Sequence, residues 1–202
     1  MENKKIKSKT DISKTIEENK HYITITAIYI LGLLIGTIVY KSLDTASINE
    51  LLEKTVAVTN DSFIAVLTQK LITYLSVYLF TIVFGLSVIG YPFINIIPFL
   101  CGFEAAVKLS YYYTSYNIKG VGYSLLLNAP EISLYILVII FAVKKAGELS
   151  KKIFRSSFLQ EFEQTNPMSY YSKIFLFYAA AVLGVAVINS GMEYLLKTVV
   201  TL

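Results

Sequence analysis

Long runs of apolar residues constrain this chain more than any other feature of its sequence. A helix of about 20 apolar residues spans the ~30 Å hydrocarbon core of a bilayer at ~1.5 Å per residue. Five segments reach or approach that length: 22–40, 71–89, 93–112, 121–143 and 174–196. The chain is 55% hydrophobic and only 16% charged, which is less charge than soluble domains carry. We therefore predict an all-α fold, a polytopic membrane bundle of five transmembrane helices.

The distribution of basic residues predicts the orientation of this bundle. If the N-terminus is cytoplasmic, the inner segments are 1–20, 90–92 and 144–173, and they contain 12 of the 18 basic residues. Lys and Arg accumulate on the cytoplasmic side of membrane proteins, so this excess favours a cytoplasmic N-terminus and an external C-terminus. The expected localisation is the cell membrane, with the chain crossing it several times.

The polar segments differ in length and character around a membrane domain at 21–197. Residues 1–20 form a basic N-terminal segment, either a surface helix or a simple topology anchor. Residues 41–70 form an external loop, near whose end helical spacing indicates an early start of the second helix. The short VIGYP stretch (88–92) predicts a tight turn. The cytoplasmic loop 144–173 has the amphipathic pattern of a helix on the membrane surface.

Pairs of small residues, four positions apart, recur in three of the predicted spans. They are Gly32 and Gly36 in the first span, Gly102 and Ala106 in the third, and Ala180 and Gly184 in the fifth. This spacing lets two helix backbones approach closely and gain dispersion contacts that lipid cannot supply. We expect the pairs to pack helices of this chain against one another.

Three carboxylates lie in or near the apolar runs, at Glu104, Glu131 and Glu193. A charge at mid-membrane costs at least ~2.5–3.5 kcal/mol on insertion scales, so it normally faces the bundle interior and a partner. Lys108 follows Glu104 by one helical turn, which predicts an ion pair inside the third span. The alternative interpretation is a path for protons or ions along these carboxylates.

The stretch LLLNAPEISLYIL (125–137) places Asn128, Pro130 and Glu131 inside the fourth predicted span. The spacing of Asn128 and Glu131 fits a capping box, with Pro130 in the first turn of a helix that begins at mid-membrane. The alternative is a continuous helix kinked at Pro130, with Asn128 bonded to a neighbouring helix. Both alternatives predict that the fourth helix is kinked or broken at Pro130.

The sequence contains no recognisable catalytic motif. It has no P-loop, no dinucleotide-binding Gly pattern, no HExxH and no Gly-x-Ser-x-Gly, and its single histidine, His21, lies at the edge of the first span. An intramembrane hydrolase would need paired acids or a Ser/His set facing one cavity, and Glu104 with Glu131 is the candidate pair of acids. Basic residues lie near the membrane rather than along a stripe with aromatic platforms, which argues against nucleic-acid binding. We expect no catalytic residue, no cofactor and no metal, and membrane lipid as a partner.

The segment VIGYPFINIIPFLCG (88–102) resembles part of the stage II sporulation protein M family. In that family Ile-Gly-x-Pro closes the turn after the second span, and Phe-x-x-Gly follows within the third. The matching residues here are Ile89, Gly90, Pro92, Phe99 and Gly102.

The likeness continues into the later spans and covers about residues 20–197. Pro130 matches the proline of the family's fourth span, and Glu193 matches the carboxylate at the end of its Ala-rich last span. Ala106 stands where members of the family often have a glycine, and Glu104 and Asn128 match no family position.

The resemblance implies a role without catalysis. Members of the family are integral membrane components of the engulfment machinery of endospore-forming bacteria. They act in the mother cell with the stage II sporulation proteins D and P, which remodel septal peptidoglycan by glycan-strand cleavage and amide hydrolysis. By this resemblance we expect a scaffold for peptidoglycan hydrolases in the engulfing membrane. The alternative is a small transporter or channel that uses intramembrane carboxylates. Association into a homo-oligomer is open in either case.

Overall fold

Helices make up almost all of the chain that the structure describes. The structure is a computed structural model and describes residues 2–43, 62–159 and 167–197. Its helices are α1 (Glu2–Ser42), α2 (Phe63–Leu86), α3 (Gly90–Phe93), α4 (Ile96–Leu159) and α5 (Pro167–Lys197). The predicted all-α fold is confirmed. Most of the predicted external loop and the middle of the predicted cytoplasmic loop lie outside the described residues.

Four helical segments are long and apolar enough, by length and composition, to cross a membrane. They are Asn19–Ser42, Phe63–Leu86, Gly90–Gly122 and Ser169–Leu195. Large apolar side chains such as Leu34, Phe80 and Leu176 are more than half exposed on their outer faces, as contact with lipid requires. These segments correspond to four of the predicted spans. The fourth predicted span, 121–143, has no counterpart among these segments, so the prediction of five transmembrane helices is not confirmed.

Glycines bring α1 and the first part of α4 into backbone contact. A Cβ atom on Gly32 would lie 2.2 Å from the carbonyl oxygen of Phe99, and one on Gly102 would lie 2.2 Å from that of Tyr29. Gly36 approaches the next turn of α4 in the same way. Side chains at these positions would force the helices apart, so the prediction that these glycines pack the chain's own helices is confirmed.

The third pair of small residues does not pack two helices together. Ala180 and Gly184 lie on the exposed side of α5, and no described neighbour comes within 4 Å of a Cβ placed on Gly184. The prediction is wrong for this pair because α5 is buried along a different face. Val182, Val185 and Ala186 follow each other at helical spacing and join the buried cluster formed with α2 and α4.

The turn predicted at 88–92 lies between α2 and α4 and contains the single-turn helix α3. A Cβ atom on Gly90 would lie 1.7 Å from the carbonyl oxygen of Phe84. No described glycine has a positive φ, so Gly90 is required for the space beside the end of α2 and not for its dihedral angles. Pro92 lies within α3, where the first-turn amide hydrogens have no helical partner.

The long helix α4 bends at Asn117. This residue has φ 52° and ψ −135°, and it is the one position inside α4 with non-helical dihedral angles. Pro130 lies within the helix, so no new helix begins at Asn128. The kink or break predicted at Pro130 is not confirmed, and the interruption lies at Asn117. Asn is among the few residues that tolerate a positive φ.

Beyond Asn117, the second arm of α4 returns along the first. A Cβ atom on Gly120 would lie 1.9 Å from the carbonyl oxygen of Tyr112, so the arms touch near the bend. Farther along, Glu104 of the first arm and Tyr135 of the second line the same cavity. The two arms therefore form a helical hairpin.

The second arm of α4 runs parallel to α2, with both helices in the same chain direction. At one end, Lys70 of α2 pairs with Glu131 at 2.5 Å. At the other end, the hydroxyl of Ser150 donates to the carbonyl oxygen of Ser87 at 2.7 Å. These anchor points are roughly 26 Å apart along α2 and roughly 29 Å apart along α4, from the rise of an α-helix. The arm thus follows α2 over about the thickness of a bilayer core.

The dihedral angles of Asn117 generate a testable prediction. Asn117→Val places a β-branched residue at a positive φ and should lower the free energy of unfolding by about 1–3 kcal/mol. Asn117→Gly should leave it unchanged or raise it, because glycine adopts this φ without steric cost. The measurement is unfolding in mixed detergent and SDS micelles, followed by circular dichroism.

The neighbouring exposed residue Ile118 provides the control. Ile118→Val is a β-branched substitution at a helical position and should leave stability unchanged. Equal stability of Asn117→Val and the unmodified chain would contradict a bend at Asn117.

Candidate functional site

Lys70, near the start of α2, pairs with carboxylates from two other helices. Its Nζ lies 2.5 Å from Oε2 of Glu131 on α4 and 2.9 Å from Oε2 of Glu193 on α5. The side chains of Lys70 and Glu131 are only 11% and 15% exposed. Charges so poorly hydrated are costly unless they are paired, and the ammonium group of Lys70 offsets the charge of both carboxylates. This ion-pair triad connects α2, α4 and α5.

Hydrogen bonds from Tyr74 and Asn189, each one helical turn from a member of the triad, orient Glu131. The hydroxyl of Tyr74 donates to its Oε1 at 2.6 Å. Nδ2 of Asn189 donates to the hydroxyl oxygen of Tyr74 at 3.1 Å and to the backbone carbonyl of Glu131 at 3.5 Å. Tyr74 also stacks on Tyr135, with ring centroids 4.1 Å apart. Both carboxylate oxygens of Glu131 therefore have a donor, and the side chain has a defined position.

The sequence places these groups through helical spacing. Lys70 and Tyr74 are four residues apart on α2, and Asn189 and Glu193 are four residues apart on α5. Residues four apart lie on the same side of a helix, so each pair presents two polar groups in one direction. The two polar sides meet at Glu131.

The first arm of α4 carries a separate ion pair beside this triad. Nζ of Lys108 lies 2.7 Å from Oε1 of Glu104, as the spacing of the two residues predicts. Glu104, Lys108 and Glu131 line a cavity of about 40 Å³, together with Cys101. A cavity of this size has room for a few water molecules. Sites for small organic ligands are typically about 300–1,000 Å³, so it is too small for such a ligand.

Asn189 has one buried polar atom without a described partner. The residue is 2% exposed, and its Oδ1 accepts no hydrogen bond from any described group. An unsatisfied buried acceptor costs roughly 1–3 kcal/mol. Asn189 therefore marks the point at which the hydrogen-bond network can accept one further donor.

The structure brings together some of the candidate residues identified in the sequence. Glu131 and Glu193 meet at Lys70, and Glu104 lies across the small cavity from Glu131. Pro130 directly precedes Glu131 in the helix, and the side chain of Asn128 lies outside what the structure describes. The remaining three candidates serve the turn and the helix packing described above: Gly90, Pro92 and Gly102.

Sequence reasoning missed Lys70, Tyr74 and Asn189 as members of the network. In the sequence, Lys70 is simply the last residue of the predicted external loop 41–70, and Tyr74 and Asn189 lie inside apolar spans. The four-residue spacing of polar groups within apolar helices was the available signal. This spacing could have identified the polar sides of α2 and α5, but not that both sides contact Glu131.

No family model, curated protein or solved structure matches this chain. The resemblance of residues 88–102 to the stage II sporulation protein M family therefore stays a prediction. Within the described ranges, no group of three His, Cys, Asp or Glu residues could hold a metal ion. The chemistry of the site consists of paired charges, hydroxyl groups and one amide.

Removal of one member should show how the triad contributes to stability. Lys70→Met leaves two carboxylates poorly hydrated and unpaired, and should lower the free energy of unfolding by about 3 kcal/mol. In the double variant with Glu131→Gln, the combined loss should be smaller than the sum of the two single losses. Unfolding in mixed detergent and SDS micelles measures all three values.

The exposed Lys119 on α4 provides the matched control, because it loses the same charge outside the triad. Lys119→Met should change stability by less than about 0.5 kcal/mol. Strictly additive effects of the Lys70 and Glu131 substitutions would show that the two side chains are not coupled.

Proposed function

We propose that this chain is a non-enzymatic membrane scaffold in which the ion-pair triad joins the helices. The observation that carries this proposal is the mutual pairing of charges across α2, α4 and α5. A transporter site needs groups that can exchange partners and a cavity that admits the solute. Both oxygens of Glu131 already have donors, and the adjoining cavity is only about 40 Å³. Paired charges of this kind hold the helices in fixed positions, as a scaffold requires.

We also propose that α4 crosses the membrane twice, which gives five crossings. Support comes from the hairpin at Asn117 and from the parallel course of its second arm beside α2. In a chain that reverses direction at each crossing, the second and fourth crossings run the same way. The distribution of basic residues favours a cytoplasmic N-terminus and an external C-terminus. In that orientation Lys144 and Lys151 lie on the cytoplasmic side, and Lys70 lies toward the external side.

The biological setting that we propose is engulfment during endospore formation. It is supported by the resemblance of VIGYPFINIIPFLCG to the stage II sporulation protein M family and by the order of the spans. In this setting the scaffold lies in the membrane of the mother cell. Its partners are peptidoglycan hydrolases resembling the stage II sporulation proteins D and P.

Deletion of the gene in a sporulating host tests the proposed setting. Loss of the scaffold should arrest engulfment, and the unmodified gene supplied in trans should restore it. A tagged chain purified from sporulating cells should recover the hydrolases, whereas a similarly sized unrelated membrane protein with the same tag should not. Normal engulfment in the deletion strain, with neither hydrolase recovered, would refute the proposal.

A small transporter or channel is the second candidate function. It is favoured by the cavity that Glu104 and Glu131 share and by the unsatisfied acceptor on Asn189. Intramembrane carboxylates beside a space for water are typical of proton and ion pathways.

Reconstitution into liposomes distinguishes this candidate from the scaffold. A transporter should move protons or a solute, and Glu131→Gln should abolish the flux by removing the central charge. Glu148→Gln removes a carboxylate outside this cavity and should leave the flux intact. Absence of flux across a broad panel of ions and solutes excludes the transporter.

A further inference from the structure

A second cavity lies at the other end of the bundle from Lys70. It is lined by the start of the apolar segment of α1, by the junction of α3 with α4, and by residues 143–151 of the second arm of α4. Its volume is about 360 Å³, roughly nine times that of the cavity beside Glu131. This volume falls in the range of ligand sites. Its position at the ends of apolar segments places it at the level of the lipid headgroups.

Three lysines supply the charge of this cavity, and they come from two helices. Lys20 lies on α1, and Lys144 and Lys151 lie on the second arm of α4, all at the cavity wall. The ammonium group of Lys144 lies 3.7 Å from the ring centroid of Tyr22, and that of Lys151 lies 5.6 Å from the centroid of Tyr91. Aromatic rings position such ammonium groups without cancelling their charge.

The carboxylates near these lysines are engaged elsewhere. Glu148 also lines the cavity, but its Oε2 lies 2.8 Å from Nζ of Lys145. That hydrogen bond raises the pKa of Lys145 above its usual value, which favours the charged form of this lysine beside Glu148. The other carboxylates with described side chains pair with Lys70 or Lys108. The cavity therefore has a net positive charge from its described residues.

The other lining groups suit an amphiphile with an anionic head. Asn95 and His21 provide polar atoms for hydrogen bonds beside the lysines. Ile25, Ile94 and Val143 provide an apolar wall, and Ile25 and Ile94 belong to the buried core. A polar, cationic space bordered by apolar residues at a membrane surface matches a phospholipid better than a free ion. Basic pockets between transmembrane helices bind anionic headgroups in this way.

We propose that this cavity binds the phosphate of an anionic phospholipid, with Lys20, Lys144 and Lys151 as its cationic partners. The bound lipid would join α1 to the second arm of α4 at the end of the bundle opposite the ion-pair triad. The proposal requires insertion in a membrane, and it is independent of the scaffold and engulfment proposals.

Lipid titration of the purified full chain in a neutral detergent tests this proposal. Dioleoyl-phosphatidylglycerol should bind saturably, and the zwitterionic dioleoyl-phosphatidylcholine should bind much more weakly. The double variant Lys144→Gln/Lys151→Gln should weaken phosphatidylglycerol binding roughly 30-fold, because each lysine near an anionic lipid strengthens binding roughly fivefold. Lys20→Gln/Lys151→Gln should have a similar effect, which guards against a folding defect in one variant. Native mass spectrometry and microscale thermophoresis measure the stoichiometry and the Kd.

The matched control is Lys119→Gln/Lys173→Gln, which removes the same net charge from exposed lysines outside the cavity. Its affinity for phosphatidylglycerol should equal that of the unmodified chain. Equal losses in the cavity and control variants would overturn the proposal in favour of nonspecific surface attraction. Inorganic phosphate that binds as tightly as the lipid would overturn the assignment of a phospholipid.

Discussion

An ammonium group held between two carboxylates connects the helices of the buried core. Without Lys70, Glu131 and Glu193 would be two like charges in an apolar environment, a state far more costly than the ion-pair triad. The positions of α4 and α5 are therefore coupled to the start of α2. The bend at Asn117 is part of the same arrangement, because it returns α4 along the bundle and brings Glu131 beside Lys70.

Charge is organised differently at the two ends of this bundle. At the end that contains Lys70, the carboxylates are matched by lysines, and the adjoining cavity holds only a few waters. At the other end, Lys20, Lys144 and Lys151 surround a much larger cavity. Matched charges stabilise contacts between helices, whereas lysines that pair with no carboxylate among the described residues attract an anionic ligand. The charges at the first end thus hold the helices together, and the lysines at the second end are placed to contact anionic headgroups at the membrane surface.

Predictions from the sequence were accurate where the controlling interactions are local. The helical conformation of the apolar segments follows from hydrophobic periodicity. The Glu104–Lys108 pair follows from its spacing along one helix. The close approach of α1 and α4 was signalled by glycines in both helices. The sequence predicts a kink at Pro130 inside the fourth span, but the structure keeps Pro130 within the helix. The bend at Asn117 lies between the predicted third and fourth spans, and its positive φ is required by the return of the second arm beside the first.

By itself, the sequence determined a helical, strongly apolar chain with carboxylates in its membrane-length runs, because hydropathy and periodicity depend only on neighbouring residues. Only the tertiary structure decided that Glu131 and Glu193 share Lys70. These residues lie on three separate helices, and their meeting depends on the bend in α4 and on the rotation of each helix about its axis. The same is true of the cationic cavity, whose lysines come from α1 and from the last turns of α4. Contacts between distant segments follow from packing, which local sequence patterns do not encode.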